Sequence, residues 1–425
     1  MTRNRSRRHD RVPVPDEASG LNPLGRASDG EGNPEDRPAR FLPIDALRGV
    51  AALSILFFHL FRNSAMAGVL DRVLPVPLKA ILDVSRNGVA IFFVISGFVI
   101  AYTTRKLGSR IRDAVRFTVR RQVRLDPPYY VVLVAVASLV YAERLVPGLV
   151  YRELSLKQFV VNMFYLQGFT GEVSLLAVAW TLCLEVQFYL FVVLVAVVVG
   201  WFVPGTAPRP RRRAVQRWLL LGVGGVSLAS PFVGINFGPW FVGTWWMFCI
   251  GMVLCWFMLG ELSLWATSAS LVAVGAWCRA VDLFTASPDP WHGQWTAWLT
   301  AAVIFVLLRT GWMARRPPRW LMFFGTISYS LYLVHLPVID YVLGAGYKVT
   351  KQSGVGAVAL YVVGAIISIG VAGVLQRFVE RPAMRWSAHL KPAAERTDSP
   401  ATSSPGEVLQ AAGVSGDAAS GVAAP

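Results

Sequence analysis

The sequence predicts an all-α polytopic membrane protein, a bundle of about ten transmembrane helices with both termini in the cytoplasm. Three observations carry that reading. Of the 425 residues, 54% are hydrophobic and only 16% charged, against roughly 25% charged in an average soluble domain. Mean hydropathy is +0.49. The apolar residues are gathered into runs of about 20, the length that crosses the hydrocarbon core of a bilayer. So few charges cannot keep this much apolar surface soluble, which excludes a soluble enzyme. The 41 Lys and Arg exceed the 25 Asp and Glu, for a net charge of +16. That excess does not describe a nucleic-acid binder either, because the arginines stand between apolar runs instead of on one polar domain.

Residues 1–40 hold eight Arg and seven acids among Pro, Gly, Ser and Asn, and read as a disordered, nearly neutral cytoplasmic tail. They contain no apolar signal-peptide core, so the first helix is expected to act as its own insertion signal. Helices are predicted at 41–62, 79–103, 127–146, 176–203, 218–235, 241–259, 264–283, 294–311, 320–345 and 356–378. Together they make one transmembrane domain over 41–385. Residues 386–425, rich in Ala, Ser, Gly and Pro, read as a second disordered cytoplasmic tail. Gly and Pro around Pro231 to Pro239 interrupt the pattern between helices five and six. The apolar segment 158–170 is too short to span and is expected at the outer surface or dipping partway in.

Basic residues orient the bundle. With both tails inside, segments 1–40, 105–124, 209–217, 309–319 and 377–396 carry 30 of the 41 Lys and Arg, as the excess of Lys and Arg on cytoplasmic loops requires. Cys183, Cys249, Cys255 and Cys278 all fall inside apolar stretches, without metal-ligand spacing, and read as buried small hydrophobes.

Ionisable groups within a span are costly and by default face the bundle interior or a wet cavity. The first helix carries Asp45, Arg48 and His59. The third is preceded by Arg120-Arg121-Gln122-Val123-Arg124-Leu125-Asp126-Pro127. Helix four holds Glu185 within Trp180-Thr181-Leu182-Cys183-Leu184-Glu185-Val186-Gln187-Phe188-Tyr189, and helix nine holds His335 in Ser328–Pro337. Arg48 and His59 are eleven residues apart, three helical turns to within about 20°, so they share a face and stand roughly 16 Å apart along the axis. Arg121 and Arg124 occupy neighbouring positions at the inner mouth, while Glu185 and His335 fall in outer halves of their helices. Two layers result: guanidiniums inside, imidazoles with a carboxylate further out. A guanidinium fork suits phosphate, and a histidine paired with a carboxylate suits proton transfer near neutral pH. A ligand with phosphate at one end and its reactive atom on a long arm, such as acyl-coenzyme A, fits that spacing, although spacing alone leaves a transporter open.

Each group also has a structural reading. His59 could serve only to bond a neighbouring helix, and Arg48 could anchor at lipid phosphate. The run Arg120 to Arg124 is what topology alone produces, and Glu185 could tie two helices. Trp180, Tyr189, Tyr329 and Tyr332 are commonly interfacial or packing aromatics.

At these residues the chain resembles acyltransferase family 3, the integral membrane O-acyltransferases. The matching pieces are Asp45-Ala46-Leu47-Arg48-Gly49-Val50-Ala51-Ala52 with His59, the Gly88–Phe98 block, Arg121-x-x-Arg124 with Pro127, Trp180–Tyr189, Ser328–Pro337 and Glu380-Arg381-Pro382, in the family's order. The resemblance implies a ten-helix, multi-pass enzyme of a bacterial-type plasma membrane. It implies transfer of an acyl group, acetyl by default, from cytosolic acyl-CoA to a hydroxyl of a carbohydrate or glycosylated metabolite. The donor is then a substrate, with no permanently bound cofactor. His59 is the expected catalytic residue with Glu185 beside it. Arg48, Arg121 and Arg124 are the expected donor-binding residues, and Asp45, His335, Tyr329 and Trp180 are candidate substrate contacts. Ala90 stands where relatives often have an acid, and Val186 replaces the second acid of a frequent Glu-Glu-Gln-Phe-Tyr run. No soluble domain is expected after the tenth helix, unlike relatives that fuse a hydrolase-like domain there. The rival reading is a secondary transporter exporting an acidic or glycosylated metabolite, with His59, Glu185 and His335 as a proton relay. It calls for an internal repeat, and the Asp45–His59 pattern has no counterpart in the second half. A scaffold in an envelope complex leaves the in-membrane charges unexplained.

Overall fold

The computed structural model describes residues 41–105, 107–108, 110–143, 153–203, 209–285 and 293–390. The tail expected over 1–40 and most of that expected over 386–425 lie outside the described residues. In chain order the helices are α1 (Leu42–Arg62), α2 (Ala67–Val73), α3 (Val76–Val84), α4 (Gly88–Thr104), α5 (Ile111–Glu143), α6 (Leu156–Met163), α7 (Gln167–Thr170) and α8 (Ala179–Phe202). They continue as α9 (Arg209–Ala229), α10 (Trp245–Met258), α11 (Leu264–Phe284), α12 (Gly293–Arg309), α13 (Arg319–Val338), α14 (Gly344–Thr350), α15 (Gly354–Leu375) and α16 (Arg381–His389). No strand occurs among the described residues.

Eight helical stretches among the described residues are long and apolar enough to cross a membrane, so the chain is an all-α polytopic membrane bundle. They coincide with eight of the ten expected helices. The other two positions are helical as well. The helix expected at 294–311 is α12, with 17 residues; that expected at 218–235 is α9, whose first turns are basic and leave a shorter apolar length. The segment around 158–170 forms the short helices α6 and α7. All four cysteines are buried and free.

Two boundaries differ for physical reasons. Helix α5 begins at Ile111 instead of 127 and runs through Pro127 and Pro128. A proline favours the first turn of a helix, which is why the apolar run reads as starting there. The basic stretch before it has packing of its own: Ala114 is buried with Val193 and Val197 of α8, and Arg120 accepts a hydrogen bond at its carbonyl from Ser387 of α16 at 2.8 Å. The prolines have no N–H, so the carbonyls of Val123 and Arg124 lose their intrahelical partners. The second difference lies at the end of the chain. Beyond α15 a π turn, Gln376–Glu380, leads into α16, so helix continues past residue 386, where the tail is expected to begin.

The bundle packs around two apolar centres. One joins α1, α5, α13 and α15 with the start of α8; the other joins α4, α10 and α12 with the rest of α8. Close backbone contacts hold each centre. A Cβ on Gly325 would lie 2.1 Å from the Asp45 carbonyl oxygen, and one on Gly49 would lie 2.7 Å from the Gly325 nitrogen, so α1 and α13 touch backbone to backbone. Gly97 and Gly251 do the same for α4 and α10: a Cβ on either would lie 2.0 Å from a carbonyl oxygen of the other helix, Phe248 and Val94 respectively. Such close approach is how helices associate in lipid, where no hydrophobic force distinguishes tail from side chain. At the far end of α1, Arg62 binds Asp83 of α3 at 2.5 Å and Asp71 of α2 at 3.2 Å.

Gly325→Val should lower the melting temperature of the detergent-purified protein, with an overpacking cost of about 1–3 kcal/mol or more. Gly370→Ala, where a Cβ meets nothing within 4 Å, should leave it unchanged. Equal melting curves for the two variants would show that the α1–α13 contact is loose.

Candidate active site

Five helices converge on one cavity at the seam of the two centres. Helix α1 supplies Arg48, α4 Ser96, α5 Arg121 and Arg124, α8 Thr181 and Glu185, and α13 Tyr329 and Tyr332. The longer α5 explains the arginines' position: Arg121 and Arg124 stand about three to four turns inside the helix, not at its mouth. Arg121 Nη2 donates to Glu185 Oε1 at 2.6 Å, and Ser96 Oγ reaches the same oxygen at 3.4 Å. Both partners are largely enclosed, their side chains 13% and 22% exposed. The Arg121 guanidinium also lies 5.5 Å from the Tyr189 ring centroid, and Tyr189 donates its hydroxyl to Gln122 Oε1. Tyr329 donates to the Leu125 carbonyl at 2.7 Å, fixing α13 against α5 at this level.

Glu380 completes the cluster, and the sequence reading did not single it out as a site residue. It closes the π turn after α15, is 4% exposed, and accepts from Ser330 Oγ at 2.6 Å. Arg124 interacts electrostatically with Arg48, Arg121, Glu380 and Glu185. Three guanidiniums therefore face two carboxylates, a net charge of +1. The Arg121 Nε hydrogen is buried without a partner, a donor still open to an anion. The sequence signal for Glu380 was the Glu-Arg-Pro triplet. Glu380 lies just beyond the predicted tenth helix, outside the spans within which an ionisable group stands out.

The structure revises the expected layering. Glu185 belongs with the guanidiniums, not with the imidazoles, because α5 brings Arg121 up to it. The imidazoles form a layer of their own. His59 and His335 have ring centroids 5.1 Å apart, and Tyr332 lies 5.8 Å from His335. The open shaft expected from Arg48 to His59 is interrupted. Neither histidine lines the cavity. Tyr332 closes it, its hydroxyl 2.7 Å from Thr181 Oγ1 and 3.2 Å from the Val178 carbonyl, with Phe92 against its ring. His59 is half-buried, so it can also be approached from outside the cavity.

Asp45 and Trp180 do not line the cavity. Asp45 lies in the first turn of α1, with its carbonyl at the Gly325 contact. Trp180 is 51% exposed, edge-on to Phe93, as a packing or interfacial aromatic is. Ala90, at the position where an acid is frequent, is buried in the apolar centre around α4.

The acyltransferase domain family matches residues 42–377, which takes in α1 through α15. The chain belongs to acyltransferase family 3. Curated members of the family align over most of it. Nodulation protein 10 of Rhizobium leguminosarum bv. viciae is 25% identical over 81% of this chain and 94% of its own length. Acyltransferase MdmB of Streptomyces mycarofaciens is 26% identical over 86% and 97%. O-acetyltransferase OatA of Staphylococcus aureus is 24% identical over 81% of this chain and 57% of its own length. No solved structure matches the chain. As an acyltransferase family 3 member, the protein is a membrane O-acyltransferase, which decides between the enzyme and the transporter.

Glu185→Leu leaves the Arg121 charge inside the bundle with less compensation, and breaking an enclosed pair from one side costs about 3–5 kcal/mol. It should therefore lower the melting temperature more than the double variant Arg121→Leu/Glu185→Leu, with both inactive. Equal destabilisation would show that the two side chains are not coupled.

Proposed function

We propose that the enzyme transfers an acyl group, acetyl by default, directly from cytosolic acyl-CoA to a hydroxyl of a carbohydrate or glycosylated metabolite at a plasma membrane. The single observation behind this is the convergence of Arg48, Arg121 and Arg124 on one cavity, at the end of α1 opposite His59. Arginine forks engage phosphate oxygens bidentately, and a positively charged cavity concentrates an anionic donor. Acyl-CoA acts as a substrate, and no permanently bound cofactor enters the scheme.

The coenzyme A phosphates sit on the guanidiniums, and the pantetheine arm runs along α1 towards His59. The arm requires Tyr332 to leave its bonds to Thr181 and Val178. The acceptor enters at the exposed side of His59. As the acceptor oxygen attacks the thioester carbonyl, His59 takes the hydroxyl proton. The new C–O bond forms, the C–S bond breaks, and the proton passes to the departing thiolate. Removing water from this layer strengthens each of these interactions. Positioning of the two reactants and general base catalysis then carry the reaction. The name of the Staphylococcus aureus relative, an O-acetyltransferase, supports acetyl as the transferred group.

Incubating membranes with radiolabelled acetyl-CoA and glycan from the producing cells should release coenzyme A in an acceptor-dependent way. His59→Ala, at wild-type protein level, should lower that rate by about 10²–10⁴-fold. Full activity of the variant would discard His59 as the base. Arg121→Gln should instead raise the KM for acetyl-CoA; an unchanged KM would remove the phosphate from this cavity.

A further inference from the structure

We propose that His335 is a positioning residue for His59: its Nε2 accepts the Nδ1–H of His59 and so sets the tautomer that presents His59 Nε2 to the acceptor. The inference rests on the reading of His59 as the base. The geometry begins with register. Gly49 lies ten residues before His59 on α1, and Gly325 lies ten residues before His335 on α13. The two glycines are in backbone contact. Ten residues rise about 15 Å on either helix, so the backbone contact below sets both imidazoles at one height above, where their rings meet 5.1 Å apart.

Next comes the proton inventory. His335 is 1% exposed, and its Nδ1 lies 3.1 Å from the Leu331 carbonyl oxygen. A carbonyl can only accept, so Nδ1 carries the hydrogen and Nε2 is a bare lone pair. That Nε2 is buried and has no partner; His59 Nδ1 is likewise buried without a partner. The two nitrogens belong to rings in contact but are not bonded to one another in the structure, and the Asn63 side chain also bonds the His59 ring. Turning an imidazole so that the acceptor meets the donor would pair two buried atoms of a kind that is otherwise paired. The remaining nitrogen of His59, Nε2, belongs to a half-exposed ring. A carboxylate fills this orienting role in Ser-His-Asp triads, and here Glu185 is engaged by Arg121 instead. During transfer His335 neither gains nor loses a proton. His59 Nε2 takes the acceptor's proton and returns it to the thiolate, while Nδ1–H stays on the His335 lone pair.

The experiment uses the full-length protein in lipid nanodiscs, with acetyl-CoA as donor and water standing in for the acceptor hydroxyl. Thiol release is followed for the wild type, His335→Leu and His335→Gln. We expect His335→Leu to lower kcat by about 10²-fold at unchanged KM for acetyl-CoA. His335→Gln, which places an amide oxygen near the Nε2 position, should recover activity to within about tenfold, in the range by which orienting partners of histidine act. Wild-type kcat in His335→Leu overturns the inference and leaves His59 as the base; wild-type kcat in His59→Ala overturns the base itself. Nitrogen-15 spectra of the histidine-labelled wild type decide the matter even where a variant fails to fold. His59 should carry its hydrogen on Nδ1, and a bare Nδ1 refutes the pairing.

Discussion

The structure depends on placing three guanidiniums inside a membrane bundle against two carboxylates. An isolated arginine within a bilayer is costly by any scale, and α1 and α5 bring three to one cavity. Two carboxylates far apart in sequence, Glu185 of α8 and Glu380 after α15, offset most of that charge. The residual single positive charge and the buried, unpaired Arg121 Nε–H are the features on which the proposed phosphate binding rests. Full neutralisation would leave a stable ion network with nothing to bind.

The second layer depends on the first through helix packing. The α1–α13 backbone contact lies beside Arg48 at one end and fixes the His59–His335 encounter at the other. The two helices thereby set the spacing between the guanidinium layer and the imidazole layer. Tyr332 separates the layers, held by α8 through Thr181 and Val178. In the proposed reaction, passage of the donor arm between the layers has to break these two bonds.

Much of this was legible in the sequence, because apolar runs and basic clusters report directly on lipid. The spans, the shared face of Arg48 and His59, and the Arg121/Arg124 pair follow from helical periodicity. What was not legible came from tertiary contacts that periodicity does not encode. The basic start of α5 looked like a loop because hydropathy does not see its packing on α8 and α16. Extending it inward moved Glu185 from the imidazole layer to the guanidinium layer. Glu380 fell outside the predicted spans, and a π turn, invisible to a fixed 3.6-residue period, precedes its buried place. The Tyr332 contact likewise depends on the meeting of α13 with the start of α8 at one hydroxyl, and with Phe92 of α4 at the ring.

The most direct measurement is a structure of the protein with a non-transferable thioether analogue of acetyl-CoA. The account predicts phosphates against Arg48, Arg121 and Arg124, the Tyr332–Thr181 bond broken, and the analogue's carbonyl carbon within about 4 Å of where a hydroxyl bound to His59 Nε2 would lie. An analogue bound with its phosphates away from the three arginines, or with its acyl end pointing away from His59, would contradict it.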